Sequence, residues 1–129
     1  MARLVVEEST FNFTPVDETS NETKTVLAVH AGDVVLYAYG VLLVGGATSD
    51  DADVALGDGG NDDRLVDQYV LDDSDAVGTV FKGTSDAVGA FPFVYEADDT
   101  IDITYTAGSQ RSADTAVRFV VGLVRSQGA

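Results

Sequence analysis

The hydrophobic pattern repeats every two residues along most of the chain. Within Thr100–Thr106, the apolar residues Ile101, Ile103 and Tyr105 alternate with polar ones. This alternation is typical of a strand with one buried face. The segment from Val117 to Leu123 alternates in the same way, so both segments are predicted to be strands.

The most apolar segment, Asp33 to Val44, is predicted to be a central strand. Its two faces are expected to carry Val35, Tyr37, Tyr39, Val41 and Leu43 on one side, and Val34, Leu36, Ala38 and Leu42 on the other. Because both faces are apolar, both should be covered, one of them in part by a neighbouring subunit. Gly40 would allow a bend or a β-bulge in the middle of this strand.

Shorter apolar runs indicate further strands, separated by turns rich in Asp, Gly, Ser and Asn. These candidates are Leu4–Glu7, Thr23–His30, Asp53–Leu56, Leu65–Leu71, Val77–Phe81 and Phe91–Glu96. No segment has a convincing helical stripe, and a helical turn at Asp62–Tyr69 is less favoured than a strand. Closely spaced strands with such turns predict an all-β fold. We expect an antiparallel β-sandwich, jelly-roll or Greek-key-like, with about eight strands.

A length of 129 residues fits one domain. Residues 1–22 are more polar than the rest, with Phe11, Phe13 and Pro15 as isolated anchors. They are predicted to form either an N-terminal arm that packs on a neighbour or a plain first strand. Residues 23–129 are predicted to form a single β-sandwich domain.

The charge of the chain is unusual. It carries 22 acidic residues, 17 of them Asp, against 7 basic ones, for a formal net charge of -15. Such a chain repels nucleic acid, so no nucleic-acid partner is expected. Repulsion among the carboxylates is tolerable in molar salt, where the Debye length is about 3 Å. The composition therefore resembles that of a haloarchaeal protein and predicts a halophilic environment.

The sequence offers little for catalysis. It has no cysteine, and its one histidine, His30, ends a predicted strand and enters a turn. A serine nucleophile would need His30 as its base, and no G-x-S-x-G motif occurs, so no catalytic residue is assigned and an enzyme is not expected. The chain has no apolar run of about 18 residues, which argues against a membrane span. The start MARLVVEEST is too short and too acidic for a signal peptide.

The acidic turn Gly57–Asp63 is the best candidate for a metal site. Asp58, Asn61, Asp62 and Asp63 provide the oxygen ligands that Ca²⁺ and Mg²⁺ prefer. Asp50, Asp51 and Asp53 would add to the site if the two loops meet. The spacing does not match an EF-hand, and a solvated acidic turn without an ion is the alternative. No other cofactor is expected.

The order of three segments resembles that of small β-sandwich structural proteins of tailed viruses. An AGD-V-L strand lies within KTVLAVHAGDVVLYAYGVLLVGGA, a GDG turn within VALGDGGNDDRLVDQYVL, and a DTI strand within YEADDTIDITYT. The similarity covers residues 23 to 124, although the strand from Val34 to Val44 is longer and more aromatic than that pattern. With the halophilic composition, the chain resembles a virion protein of a haloarchaeal tailed virus.

The resemblance implies a non-enzymatic protein on the capsid surface of the virion. Such proteins decorate or cement the capsid or form turrets at its vertices, as closed homo-oligomers. The partners it implies are further copies of the chain, as a homotrimer or homopentamer, the viral major capsid protein and the host cell surface. The apolar surface of Val34–Val44 would be covered by self-association.

Two other functions stay open. The chain could be a calcium-dependent module that binds carbohydrate or a host surface, with Phe91, Phe93 or Tyr95 stacking on sugars. A cupin-type β-barrel enzyme is the third hypothesis, but one histidine and no cysteine make its metal centre hard to build.

Overall fold

The computed structural model describes residues 5–17, 19–44, 52–71, 76–82, 91–108 and 116–126. These residues form nine strands: β1 (Glu7–Phe13), β2 (Glu22–Val29), β3 (Val34–Val44), β4 (Asp53–Asp58), β5 (Val66–Val70), β6 (Val80–Lys82), β7 (Phe93–Val94), β8 (Asp99–Thr106) and β9 (Ala116–Val124). In the described part of the chain, no helix has the length and apolar character needed to cross a membrane.

The strands form two antiparallel sheets. The first sheet has the order β1-β9-β3-β6, with β7 also pairing with β3, and the second has the order β2-β8-β4-β5. The chain passes back and forth between the sheets, so strands distant in sequence become neighbours. The predicted all-β antiparallel sandwich is confirmed.

The core lies between the two sheets. It is built from the inward residues of the alternating strands, including Ile101, Ile103, Tyr105, Phe119 and Leu123, all fully buried. Aromatic rings close one edge of the sandwich, where Tyr69 of the second sheet stacks on Phe81 of the first with ring centroids 4.1 Å apart. Phe81 in turn meets Phe119 edge-on at 5.7 Å.

Strand β3 differs from its predicted pattern because its register with β9 shifts between Val35 and Tyr37. The irregularity reverses the alternation, so Val35 is fully buried while Tyr37 is only partly buried. The prediction that these two residues share a face was therefore wrong. Gly40 lies away from this shift, and its role is spatial: a Cβ there would lie 2.1 Å from Cε2 of Phe81.

The first strand lies further along the chain than expected. The sequence predicted a strand at Leu4–Glu7, whereas β1 spans Glu7–Phe13 and Leu4 is outside the described residues. The reason is that Phe11 and Phe13 provide the inward residues of a regular alternation, and Phe13 is 2% exposed. Strand β1 pairs along its whole length with β9.

Candidate functional site

The outer face of the first sheet has an apolar region around β3. Tyr37, Tyr39 and Val41 of β3 are partly buried there, and Val80 of β6, paired with Val41, is 51% exposed. We call these four residues the tyrosine face. On the same outer face, Val120 of β9 pairs with Tyr39 of β3. The Val120 side chain points away from the core that lies between the sheets, yet it is only 5% exposed.

Tyr37 is held flat on this surface. It pairs with Gly122 of β9, and a Cβ at Gly122 would lie 2.2 Å from the Tyr37 ring. The hydroxyl of Tyr37 donates a hydrogen bond to the carboxylate of Glu8 in β1. This hydrogen bond to the carboxylate raises the pKa of Tyr37. The tyrosine face is therefore fixed across three neighbouring strands before any partner binds.

The outer face of the second sheet is polar. Strand β8 presents Thr100, Asp102, Thr104 and Thr106 on alternate positions, all partly exposed. The carboxylate of Asp102 accepts hydrogen bonds from the hydroxyls of Thr25 at 2.8 Å and Thr100 at 2.9 Å. On this face, Asp102 is bound by neighbouring hydroxyls, as on an ordinary hydrated surface.

Asp58, the first of the predicted metal ligands, is buried at the end of β4, where it is 4% exposed. Its Oδ1 accepts hydrogen bonds from the amides of Gly60 and Asn61, each at 2.9 Å. Its Oδ2 accepts one from Nε of Arg64 and one from the hydroxyl of Tyr95 at 2.9 Å. Asp58 therefore organises the turn and binds two other side chains, rather than lying solvated in a loop.

The other three predicted ligands are arranged differently. Oδ1 of Asn61 accepts a hydrogen bond from the amide of Asp63 at 3.1 Å, while Asp62 is exposed and Asp63 partly exposed. Burial, with the nearby Asp67 and Asp62 carboxylates, raises the pKa of Asp63. Within the described ranges, no three His, Asp or Glu side chains gather closely enough to hold a metal ion.

Asp50 and Asp51, which were predicted to add to the site, lie outside the described residues. Asp53 begins β4. Ion binding by the Gly57–Asp63 turn stays a prediction from the sequence.

Asp33 is a second buried carboxylate, fully buried before β3 begins. Burial pushes its pKa upward, but hydrogen bonds from the amides of Ser126 and His30 and from Arg125 outweigh it and hold the pKa below its usual value. The distances are 2.8 Å to each amide and 3.0 Å to Nη1 of Arg125. Asp33 thus anchors the residues that follow β9 to the turn before β3.

Tyr95 contacts both of these aspartates, Asp33 through its backbone and Asp58 through its side chain. Its amide donates to the Asp33 carbonyl at 2.9 Å, and its hydroxyl reaches Asp58 in the other sheet. Burial, followed by the charge of Asp58, strongly raises the pKa of Tyr95. No local sequence signal could have revealed this link, because Tyr95 and Asp58 are 37 positions apart.

A cleft of about 340 Å³ opens beside this network, lined in part by Arg64, Phe93, Tyr95 and Asp99. The Arg64 guanidinium lies over the Phe93 ring, 4.8 Å from its centroid. Tyr95 is only 4% exposed and meets Phe93 edge-on at 4.9 Å. Tyr95 therefore presents no free ring face for stacking on a sugar.

His30 lies in the turn after β2 with its side chain 53% exposed, 3.7 Å from a carboxylate oxygen of Asp98. Its amide, rather than its ring, contacts the buried Asp33.

The fold and its two unlike faces define a small antiparallel β-sandwich protein. Its fold is similar to that of a chain in the acid-stable capsid structure of Helicobacter pylori bacteriophage KHP30, with a TM-score of 0.67 and 10% identity over 93% of this chain and 87% of that chain. It is also similar to a chain in the capsid asymmetric unit of cyanophage Pam1, with a TM-score of 0.65 and 18% identity over 95% of this chain and 84% of that chain. No protein-family model matches the sequence, and no curated protein is significantly similar to it. At these identities the likeness is one of fold.

Proposed function

We propose that this chain is a non-enzymatic structural protein of a tailed virus that infects haloarchaea. It decorates or cements the capsid or forms turrets at its vertices. The observation that carries the proposal is the fold shared with chains of two phage capsids, which extends over 93% and 95% of this chain. The order of turn and strand motifs in the sequence supports the same class of protein independently.

The tyrosine face supplies a contact surface for this role. On a chain with a net charge of -15, an apolar patch is a part of the surface where copies can approach with little charge repulsion, and Glu8 at its border accepts a hydrogen bond from Tyr37. Molar salt strengthens apolar contacts and screens the remaining repulsion. We propose that this face joins copies into a closed homotrimer or homopentamer, which sits on the major capsid protein.

The self-association is tested by light scattering after size exclusion, at about 3 M and about 0.15 M salt. The proposal expects a discrete oligomer at high salt that dissociates at low salt. Val80→Asp should abolish the ring, because it places a carboxylate in the tyrosine face. Val70→Asp is the matched control, since Val70 is 50% exposed on a strand of the second sheet.

The virion location is tested on particles of the virus that encodes the chain, banded in a salt gradient. The proposal expects the chain to co-sediment with intact capsids in a fixed ratio to the major capsid protein. Its absence from purified particles contradicts the virion role, whatever the oligomeric state in solution.

A calcium-dependent binding module on the host surface is compatible with a vertex turret, but Asp58 is already held by hydrogen bonds from four groups. A titration with Ca²⁺, followed by thermal unfolding in molar NaCl, separates the two functions. A midpoint that rises with calcium, and that loses this response in Asp62→Asn, supports the module. An unchanged midpoint removes calcium from the proposal.

A further inference from the structure

Strand β1 is an open edge of the first sheet. Of the strands that the structure describes, only β9 pairs with it, and the register runs without a shift from Glu7 to Phe13. On its other side, no strand in the described ranges pairs with its backbone amides and carbonyls. The seven residues include no proline or lysine, the residues that commonly protect an edge strand from pairing.

The other edges of the two sheets are less suitable for pairing. Of strand β6, the structure describes three residues. The register of β2 with β8 shifts between Thr25 and Leu27, and that of β5 with β4 shifts between Val54 and Leu56. Short or irregular edges resist the addition of a further strand. Strand β1 is the long, regular edge among them.

We infer that β1 pairs with β1 of a second copy, antiparallel and about a two-fold axis at Thr10. Full overlap of the two strands places Glu8 opposite Asn12 of the second copy, and Ser9 opposite its Phe11. The two first sheets then form one continuous sheet across the dimer.

Charge favours this partner and this direction. Within one copy, Asn12 pairs with Arg118 of β9 and accepts a hydrogen bond from its Nε at 2.8 Å. In the antiparallel dimer, Glu8 of one copy therefore lies in the same cross-strand row as Arg118 of the other. A parallel arrangement would instead place the two Glu7–Glu8 pairs side by side, which is unfavourable.

Apolar burial favours the same arrangement. Phe11 is only partly buried against the core, and no strand among the described residues lies beside it on the open side of β1. In the dimer, Ser9 and Phe11 of the second strand lie beside it and exclude water from the exposed part of the ring. Each strand gains the same cover, as a two-fold contact requires.

This two-fold contact goes beyond the proposed virion role and does not depend on it. It uses the edge of the first sheet and none of the four residues of the tyrosine face, although Glu8, which accepts the Tyr37 hydroxyl, borders both. If the tyrosine face forms rings of three or five copies, β1 pairs would link such rings to one another. Each copy then has one β1 partner, so the whole assembly contains an even number of copies. Without the ring, the chain is a dimer of twice 13.5 kDa.

The test measures mass by light scattering at about 3 M NaCl for a set of matched variants. Thr10→Lys places two ammonium groups opposite each other at the axis and should weaken the dimer about tenfold or more. Gln68→Lys adds the same charge to β5, where Gln68 is exposed, and should leave the mass unchanged. In a Val80→Asp background, which removes the ring, the expected masses are a dimer without Thr10→Lys and a monomer with it.

A charge exchange tests the register. In the Val80→Asp background, which removes the ring, and at about 0.15 M NaCl, where charges are less screened, Glu8→Arg alone and Arg118→Glu alone should each weaken the dimer, and the double variant should restore it. Across the dimer the two residues lie in one row, two strand spacings or about 10 Å apart, and within one chain they are four pairs apart along the β1–β9 ladder, about 13 Å. Recovery of the dimer mass therefore reports a charge interaction between copies. Hydrogen exchange of the β1 amides in the unaltered chain should slow as protein concentration rises.

A Val80→Asp protein that is monomeric at high concentration, with β1 exchange independent of concentration, overturns the inference. A dimer that survives Thr10→Lys and the single charge changes also overturns it. A β1 dimer found in a protein that is absent from virions would support the strand pair and contradict only the proposed function.

Discussion

The two sheets of this sandwich are stabilised in different ways. In the first sheet, aromatic rings fill the space left by glycines: Phe81 lies against Gly40 on the inner face, and Tyr37 lies against Gly122 on the outer face. In the second sheet, carboxylates accept hydrogen bonds, with Asp58 buried at the end of β4 and Asp102 on the surface of β8. The outer faces follow this division, one apolar and one polar.

The difference shows how so acidic a chain can still present a contact surface. Carboxylates near the second sheet and its turns either bind internal donors or stay hydrated, and few acidic residues lie among the apolar side chains of the described first sheet. Glu8 is the acidic residue that contacts the tyrosine face, and it accepts the Tyr37 hydroxyl. The proposed self-association uses the apolar face, while the polar face stays hydrated.

The largest effect is expected where the second sheet depends on a buried charge. Asp58→Ala removes the acceptor for Arg64, Tyr95 and two turn amides, and should lower the free energy of unfolding by about 3 kcal/mol. Urea unfolding in molar salt measures this change. Asp62→Ala, four positions away and exposed, should change it by less than about 0.5 kcal/mol. Equal effects of the two variants would show that Asp58 is not the organising residue of the turn.

In the first sheet the corresponding change is an added methyl group. Gly40→Ala places a Cβ 2.1 Å from Cε2 of Phe81, whose ring is confined by Tyr69 and Phe119. Overpacking of this kind should cost about 2 kcal/mol of unfolding free energy. In a Phe81→Leu background, the added cost of Gly40→Ala should be much smaller, so a double-mutant cycle measures the ring contact. Additive effects would contradict the packing argument.

The same substitution on the outer face should be milder. Gly122→Ala also meets a ring, but Tyr37 is partly exposed and can move toward solvent, so about 1 kcal/mol is expected. The movement would break the hydrogen bond with Glu8, and the pKa of Tyr37 should then fall toward its ordinary value. Ultraviolet titration of the tyrosines measures that shift. An unchanged Tyr37 titration would show that the ring stays in place.

The smallest effects concern pH, and the two sheets should differ in sign. The pKa of Asp33, before β3, is held below its unfolded value, so Asp33 stabilises the fold above about pH 4 and this stabilisation is lost as the pH falls further. Burial, together with the charge of Asp62, raises the pKa of Asp53 at the start of β4 despite a hydrogen bond with Thr106. Ionised Asp53 therefore weakens the fold as the pH rises through its folded pKa.

Differences between each variant and the unaltered chain isolate these two groups from the other carboxylates. In urea unfolding between pH 3 and pH 7, Asp33→Asn should be most destabilising at pH 7 and approach the unaltered chain at low pH. Asp53→Asn should raise the free energy of unfolding, relative to the unaltered chain, most at pH 7. If the difference in unfolding free energy from the unaltered chain changed with pH in the same direction for both variants, the assigned pKa shifts of Asp33 and Asp53 would be wrong.

Much of the fold could be predicted because the alternation of apolar residues is local. Ile101, Ile103 and Tyr105 are all fully buried, as their spacing predicts. The faces of β3 could not be assigned, because the shift between Val35 and Tyr37 arises in pairing with β9, about 85 positions away. The link from Asp58 to Tyr95 also depends on tertiary structure. What the sequence did indicate at that site was a turn rich in oxygen ligands, and the structure gives one of those ligands a structural role.

The position of β9 has a consequence for how the protein folds. It lies between β1 and β3 in the first sheet. Neither β1 nor β3 can pair with it until β9, the last of the described strands, has been synthesised. Contacts over such a separation are slow to form, and the apolar residues of β3 stay uncovered meanwhile. The second sheet, in which β4 and β5 follow each other directly, has a local pair that can form earlier. Correct folding of the first sheet is therefore a late event, which follows the synthesis of β9.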